Sequence, residues 1–352
     1  MNETSGLATM PTKSYLAGSP YHLEDILGIN PYERARRGTL THLLLNQPPV
    51  CDCHCRRCFM PASRRGVHQN ELTLEEYCGV VRDAAKAGII CLEISGEGEP
   101  LLSDKLSGVI QCAKECGLIT TLITNGHALT DDFVEFAFGC NVTLVLSLFS
   151  LDCALYEMDN SLPGSFENTF RSIERAAQIY RPGNSIVGDK YVYRIAIHTT
   201  AQADNLGELD NIRSFCDQHG IFFSIAPLAP VGGGAALLNL HVPTDGYAIA
   251  EDNGHNSIIL SHTSKHEVGR EVCGTCLYGL NIGYDGNVLF DAHAGYEVGG
   301  MLGNVRTECI TELIQRQRRF APLMFSQIDG FCPIRDPKWS HFLNDFIANP
   351  VL

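Results

Sequence analysis

Six short, apolar, β-prone runs, separated by helical patterns, constrain this chain more than any other feature. The runs are residues 39–45, 89–95, 118–124, 141–148, 191–199 and 221–226. Helical patterns fill the gaps with recognisable ends. Residues 73–87 open on a Thr73-x-x-Glu76 capping box and stop at Gly88, and 103–116 stop at Gly117. Residues 130–138 close at Gly139, 165–180 follow the fourth run, and 205–219 end at Gly220. Residues 1–21 read as an extended lead-in, and 23–37 hold a short helix ahead of the first strand. Alternation of this kind implies a parallel sheet with right-handed crossovers. Periodicity alone admits two such α/β architectures, an open doubly wound sheet and a partial barrel. In both, ligands gather at the carboxyl ends of the strands.

The first run leads into Cys51-Asp-Cys-His-Cys-Arg-Arg-Cys58. Its Cys51-x3-Cys55-x2-Cys58 spacing puts three thiolates on one short loop. Three thiolates can hold three irons of a [4Fe–4S] cluster and leave the fourth open. The competing reading is a structural zinc site from Cys51, Cys53, Cys55, Cys58 and His54. Zinc favours two separated knuckles, and only Cys55–Cys58 has that form. The chain has 15 cysteines in 352 residues and no apolar signal segment at its start. That usage fits a reducing compartment with metal chemistry rather than a disulfide framework. Cys78, Cys91, Cys112, Cys116, Cys140, Cys153 and Cys216 fall in apolar helix or strand patterns and read as small core hydrophobes.

The second run ends in Ser95-Gly-Glu-Gly-Glu-Pro100. Two glycines and a proline let a backbone turn sharply and approach a ligand closely, and they equally suit an ordinary strand–helix turn. Taken with the cysteine loop, this order resembles the radical S-adenosylmethionine (SAM) superfamily. The resemblance selects the partial (β/α)6 barrel, with a small C-terminal hairpin and helix extension. It implies a [4Fe–4S] cluster on Cys51, Cys55 and Cys58, with SAM on the open iron. Gly98, Glu99 and Pro100 match the motif that binds the methionyl amino group, although Glu97 separates the two glycines. Asn125 in the Thr124-Asn125-Gly126 turn, Ser147, His198 and Leu228 fall where the family contacts SAM, Leu228 against adenine. At one point the sequence departs from the family pattern. An aromatic residue usually precedes the third cysteine, whereas here Arg57 stands there and Phe59 follows.

Residues 1–38 are thus a lead-in, 39–235 the core and 236–352 a separate unit. The last opens with a Gly/Asn/His-rich stretch and Cys273-Gly-Thr-Cys276. Two apolar segments around Asp285-Gly286 then signal a hairpin, and a helix near 310–320 and Cys332 follow. This order is similar to the twitch or SPASM extension, which implies an auxiliary [4Fe–4S] cluster on Cys273, Cys276 and Cys332. The family's hairpin cysteine is Asp291 here, so the fourth ligand is Asp291, His293 or Cys309, or an open iron. The alternative is a zinc knuckle from the same three cysteines.

Charge and hydropathy narrow the partners. A net charge of −14 argues against a nucleic-acid backbone. No apolar run is long enough for a membrane span, and cytoplasmic residence is the default. The resemblance implies a flavodoxin- or ferredoxin-type electron donor. Peptide-modifying members of the family usually carry an N-terminal leader-binding domain, and only about fifty residues precede Cys51. A small-molecule substrate is therefore expected: a sugar, aminocyclitol, nucleoside or amino-acid derivative. A peptide maturase is the alternative, and a zinc-stabilised α/β binding protein is the alternative from another class.

Overall fold

Each apolar run becomes a strand because its alternate side chains find helices to pack on. The computed structural model describes residues 13–60, 65–66, 69–242, 257–259, 275–290 and 301–325. The first part of the chain holds β1 (Lys13–Leu16), α1 (Pro20–Asp25), α2 (Pro31–Arg37), β2 (His42–Gln47) and α3 (Leu74–Lys86). Next come β3 (Cys91–Gly96), α4 (Leu106–Glu115), β4 (Ile119–Thr124), α5 (Asp131–Gly139) and β5 (Thr143–Ser147). They are followed by α6 (Cys153–Asn160), α7 (Ser165–Tyr180), β6 (Ser185–Val187), β7 (Lys190–Tyr193), β8 (Ile195–Ala201), α8 (Leu209–His219) and β9 (Phe222–Pro227). The last described elements are β10 (Ser257–Ile259), α9 (Thr275–Tyr278), β11 (Gly279–Ile282), β12 (Asn287–Leu289), β13 (Met301–Asn304) and α10 (Ile310–Phe325).

The main sheet has the order β10-β9-β8-β5-β4-β3-β2-β11-β12-β13 and is open. Pairing is parallel from β10 through β11, and β12 and β13 are antiparallel. The six expected strands are β2, β3, β4, β5, β8 and β9, in an α/β parallel sheet consistent with a partial barrel. The expected hairpin forms as β11 and β12, and β11 adds directly to the β2 edge of the sheet.

One face of the sheet packs on the helices. Leu43, Leu45, Leu92, Ile94, Leu122, Leu144, Leu146, Ile195, Ile197, Phe223 and Ile225 are buried there. Each such side chain is worth about 1.5–3 kcal/mol when fully buried. Helix α3 starts on the expected box: Glu76 Oε2 accepts from the Thr73 backbone N–H at 2.8 Å, and Thr73 Oγ1 from that of Glu76 at 3.2 Å. The other face is apolar along one register of β4, β5, β8 and β9. There Ile123, Val145, Ala196 and Phe222 are covered by Leu16, Tyr191 and Tyr193 of a second sheet, ordered β1-β7-β6. The expected fifth strand therefore divides: β7 joins the small sheet and β8 the main one. Residues 23–37 likewise hold parts of two helices rather than one.

Elsewhere that same face carries polar side chains, Glu93 and Thr121 among them. Asn46 Nδ2 donates to Asn281 Oδ1 at 2.8 Å, and Ser95 Oγ donates to Asn46 Oδ1 at 3.4 Å. Ser147, His198 and Ser224 occupy one register across β5, β8 and β9. His198 Nδ1 lies 3.0 Å from Ser224 Oγ. No helix among the described residues is long and apolar enough to cross a membrane.

Candidate functional site

Strand β2 ends at Gln47, and Pro48-Pro49-Val50 carries the chain into the cysteine loop at the carboxyl edge of the sheet. The glycine turn after β3 sits directly against this approach. A Cβ on Gly98 would lie 2.2 Å from the carbonyl oxygens of both Pro48 and Val50, and one on Gly96 2.2 Å from that of Gly98. Only glycine fits at either place. The Glu99 N–H then donates to the Val50 carbonyl at 2.8 Å.

Glu99 ties this turn to the next strand. Its buried carboxylate accepts from the Leu101 N–H at 3.0 Å, Thr124 Oγ1 at 2.5 Å and the Asn125 N–H at 2.8 Å. Burial pushes its pKa up to about 7 against those hydrogen bonds. Pro100 begins the single helical turn Pro100–Leu102. Asn125 faces the cysteine loop: its Nδ2 lies 2.9 Å from Asp52 Oδ1, 3.4 Å from Cys53 Sγ and 3.8 Å from Cys51 Sγ. His127 Nδ1 is 2.5 Å from Asp52 Oδ2. Burial opposes ionisation of Asp52, but hydrogen bonds from His127 and Asn125 hold its carboxyl below the ordinary range.

Helix α6, which the sequence reading missed, holds the loop from the other side. The His54 N–H donates to the Asn160 carbonyl at 2.9 Å, and that of Arg56 to the Asp159 carbonyl at 2.8 Å. Cys55 Sγ lies 3.3 Å from Asn160 Oδ1. Arg57 pairs with the buried Asp159 carboxylate, and its guanidinium stands 4.7 Å from the centre of the Phe149 ring. The cation in the place of an aromatic side chain is thereby turned toward α6. The signal for this helix was Asp152, whose side chain caps it by accepting from the Leu155 N–H at 2.8 Å.

A third support comes from Val231-Gly-Gly-Gly. A Cβ on Gly232 would lie 2.2 Å from the Phe59 carbonyl oxygen, and one on Gly233 2.4 Å from that of Arg56. The Gly233 N–H donates to the Cys58 carbonyl at 2.7 Å. Leu228 is wholly buried, and its Cδ1 would lie 3.3 Å from a Cβ on Gly234. Three consecutive glycines were the sequence signal of this close approach.

The donor set fits an iron–sulfur group. Burial raises the pKa of the Cys58 thiol, and the nearby thiols of Cys55 and Cys51 add to the rise. Among the described residues, no three His, Cys, Asp or Glu side chains gather as ligands of a single ion. Thiols spread around a loop suit a cluster in which each binds its own iron. The neighbouring Cys53 thiol, with the nearby charges of Arg57 and Arg65, lowers the Cys55 pKa against the effect of burial. That favours the thiolate, the ligand form. Cys276 lies in α9, immediately before β11, and Cys309 is exposed beside the start of α10. Cys273, Asp291, His293 and Cys332 lie outside the described residues.

Residues 45–195 match the sequence profile of the Radical SAM superfamily. The chain carries a radical SAM domain. Proteins that carry this domain are enzymes that use SAM and a [4Fe–4S] cluster. The chain is 34% identical over 105 residues to an S-adenosylmethionine-dependent nucleotide dehydratase of Lacinutrix mariniflava, covering 29% of this chain and 22% of that protein. It is 38% identical over 110 residues to the PqqA peptide cyclase of Rhizobium meliloti, covering 29% and 28%. The matched stretch thus spans less than a third of either relative. In fold, the radical SAM domain and its surroundings resemble SuiB of Streptococcus suis, whose crystal structure holds the precursor peptide SuiA. The TM-score is 0.62 at 18% identity, over 83% of this chain and 74% of that one. A SAM-bound structure of SuiB gives a TM-score of 0.61 at 19% identity, over 85% and 77%.

Proposed function

We propose that this protein is a cytoplasmic radical SAM enzyme that removes a hydrogen atom from a compact, polar small molecule in a biosynthetic pathway. The net outcome would be oxidation, decarboxylation or rearrangement. The observation that carries this reading is the junction of the cysteine loop with the Gly98–Glu99 turn, within the matched domain. Cys51, Cys55 and Cys58 hold the cluster, and Gly98, Glu99 and Pro100 shape the backbone that receives the methionyl end of SAM. When bound, cluster and SAM supply a 5′-deoxyadenosyl radical able to take hydrogen from an unactivated carbon. Asn125 and Asp52 keep the loop against the β4 turn. Ser147 and His198 offer polar contacts to SAM, and Leu228 backs the adenine side. Residues 39–235 act as the catalytic core in this reading. Cys273, Cys276 and Cys332, with Asp291, hold an auxiliary cluster in the 236–352 unit. A flavodoxin- or ferredoxin-type protein delivers the electron.

The small-molecule reading is supported by the face that the substrate would meet. One register of it, from Ile123 to Phe222, is covered by Leu16, Tyr191 and Tyr193. Around that register it presents hydrogen-bonding groups from Asn46, Ser95, Asn281, His198 and Ser224. Such a floor suits a hydroxylated molecule of limited size. The peptide cyclase among the relatives and the fold of SuiB favour a second reading, a peptide maturase.

Anaerobic reconstitution tests the common core of both. It should give a brown protein with roughly four irons per cluster, forming 5′-deoxyadenosine from SAM on reduction. Cys55→Ala should abolish that cleavage. A colourless protein holding only zinc would overturn the reading in favour of a binding protein. Substrate class is then read from which additive raises 5′-deoxyadenosine formation, polyols and nucleosides or short peptides.

A further inference from the structure

Two arginine runs far apart in sequence, Arg34-Ala-Arg-Arg37 and Arg316-Gln-Arg-Arg319, meet in the fold. Arg318 of α10 donates from Nε to the Ala35 carbonyl at 3.1 Å and from Nη2 to that of Arg36 at 3.3 Å. These carbonyls form the negative end of α2, so the guanidinium fixes one run against the other. Arg34 is held in turn by the Gly88 carbonyl, 2.9 Å from its Nη2. Glu33 lies 3.3 Å from Arg37, and Glu308 pairs with Arg316. Counting Glu312, the two segments set three carboxylates against six guanidinium groups. The Arg37 side chain is 80% exposed, and Arg319 is exposed as well. Beside them a notch of about 260 Å³ is lined by Gln315, Arg318 and Arg319, each able to donate hydrogen bonds. Such a positive surface stands out on a chain of net charge −14.

Its place in the fold narrows the partner. Helix α2 leads into the amino end of β2, whereas the cysteine loop leaves the carboxyl end, about 20 Å away along six residues. Helix α9, which carries Cys276, packs against both α2 and α10, and Tyr278 meets Tyr32 edge-on with ring centres 5.5 Å apart. A partner seated here leaves the substrate's approach open. We infer that this surface docks the acidic one-electron carrier proposed above as electron donor, one of whose carboxylates enters the Arg318–Arg319 notch. This rests on the proposed enzyme reading and on its auxiliary cluster, whose candidate ligand Cys276 lies on this side of the molecule. Carriers of the flavodoxin and ferredoxin type are acidic around their cofactors, and the net charge of this chain repels them. Opposite charge concentrated at one place then decides where they land and how fast. Electron-transfer contacts are small and transient, which suits a patch of this extent. In the encounter the carrier is oxidised by one electron and an iron–sulfur centre of this protein is reduced by one. No bond forms or breaks.

The experiment compares reconstituted wild type with the double variant Arg37→Glu/Arg319→Glu. Arg171→Glu, at an exposed position on α7, serves as the control. The probes are a recombinant flavodoxin and dithionite, a reductant that needs no docking surface. Oxidised flavodoxin should bind wild type with an affinity that falls as salt is raised to about 0.3 M. The double variant should bind it about tenfold more weakly at low salt, and the control should match wild type. With reduced flavodoxin at low concentration, 5′-deoxyadenosine formation should fall about tenfold in the double variant. With dithionite all three proteins should react equally. If the double variant folds poorly, Arg37→Gln/Arg319→Gln carries the same comparison with a smaller loss. Equal flavodoxin affinity in wild type and the arginine variants, an equal loss in Arg171→Glu, or binding indifferent to salt would overturn the inference. So would arginine-dependent capture of oligoglutamate without capture of flavodoxin, which would assign the surface to an acidic peptide. Absence of SAM cleavage with dithionite in wild type would instead overturn the underlying enzyme reading and leave the binding comparison standing.

Discussion

Asp159→Ala should destabilise the cysteine loop through one buried charge. The Asp159 side chain is 0% exposed and that of its partner Arg57 11%. Removing one member of a buried pair leaves the other charged and out of water, at a cost of about 3–5 kcal/mol. Two features of the site adjust that figure. The Arg56 N–H still reaches the Asp159 backbone carbonyl in the variant, so the loop is not freed altogether. The Phe149 ring, 4.7 Å from the Arg57 guanidinium, retains a favourable cation–π contact of about 1–2 kcal/mol. The net loss should therefore lie near the lower end, about 3 kcal/mol. Urea unfolding of the iron-free protein, followed by circular dichroism, measures it as a lower midpoint at unchanged slope. The double variant Arg57→Met/Asp159→Leu removes both charges and should recover most of the loss. In the loaded protein, Asp159→Ala should lose iron faster than wild type, because Arg57 precedes the ligand Cys58. A single variant within about 0.5 kcal/mol of wild type would show that the pair does not hold the loop.

Glu99 gives a pH dependence of known sign. Its folded pKa is raised to about 7, so the native state binds the extra proton as the pH falls below neutrality. The stabilisation is complete below the unfolded carboxyl value and is lost as pH rises through about 7. A shift of this size corresponds to about 3 kcal/mol. Iron-free wild type should therefore be more stable at pH 5 than at pH 8 by an amount that Glu99→Gln removes; an equal slope in the variant would assign the effect elsewhere. Gly232→Ala tests the glycine support. Its φ is +56°, and the added Cβ would meet the Phe59 carbonyl oxygen at 2.2 Å. We expect a loss of about 1–3 kcal/mol with faster iron release, and unchanged iron retention would separate this run from the cluster loop.

The difference between what the sequence disclosed and what it withheld follows from the range of the forces involved. Strands and helices were legible where a few neighbouring residues decide them, as in the Thr73–Glu76 box or the apolar run at 143–147. The fifth run was misread as one strand because its division is decided far away. Lys190–Tyr193 pairs with Lys13–Leu16, which local pattern cannot foresee. Helix α6 was missed for a related reason: buried Asp159 and Asn160 spend their polar groups on the cysteine loop, which hides the apolar stripe that marks most helices. The same holds at the site. Cysteines reveal themselves by type and spacing, whereas their supports act through carbonyl oxygens that every residue possesses. Gly98 against Pro48 and Val50, and Gly232 against Phe59, are contacts between backbones, visible in sequence only as the absence of a side chain. Cys53 shows the limit from the other direction. Spacing alone sets it aside as the cysteine outside the three-ligand pattern, and only the structure shows it buried with Asn125 Nδ2 3.4 Å from its sulfur.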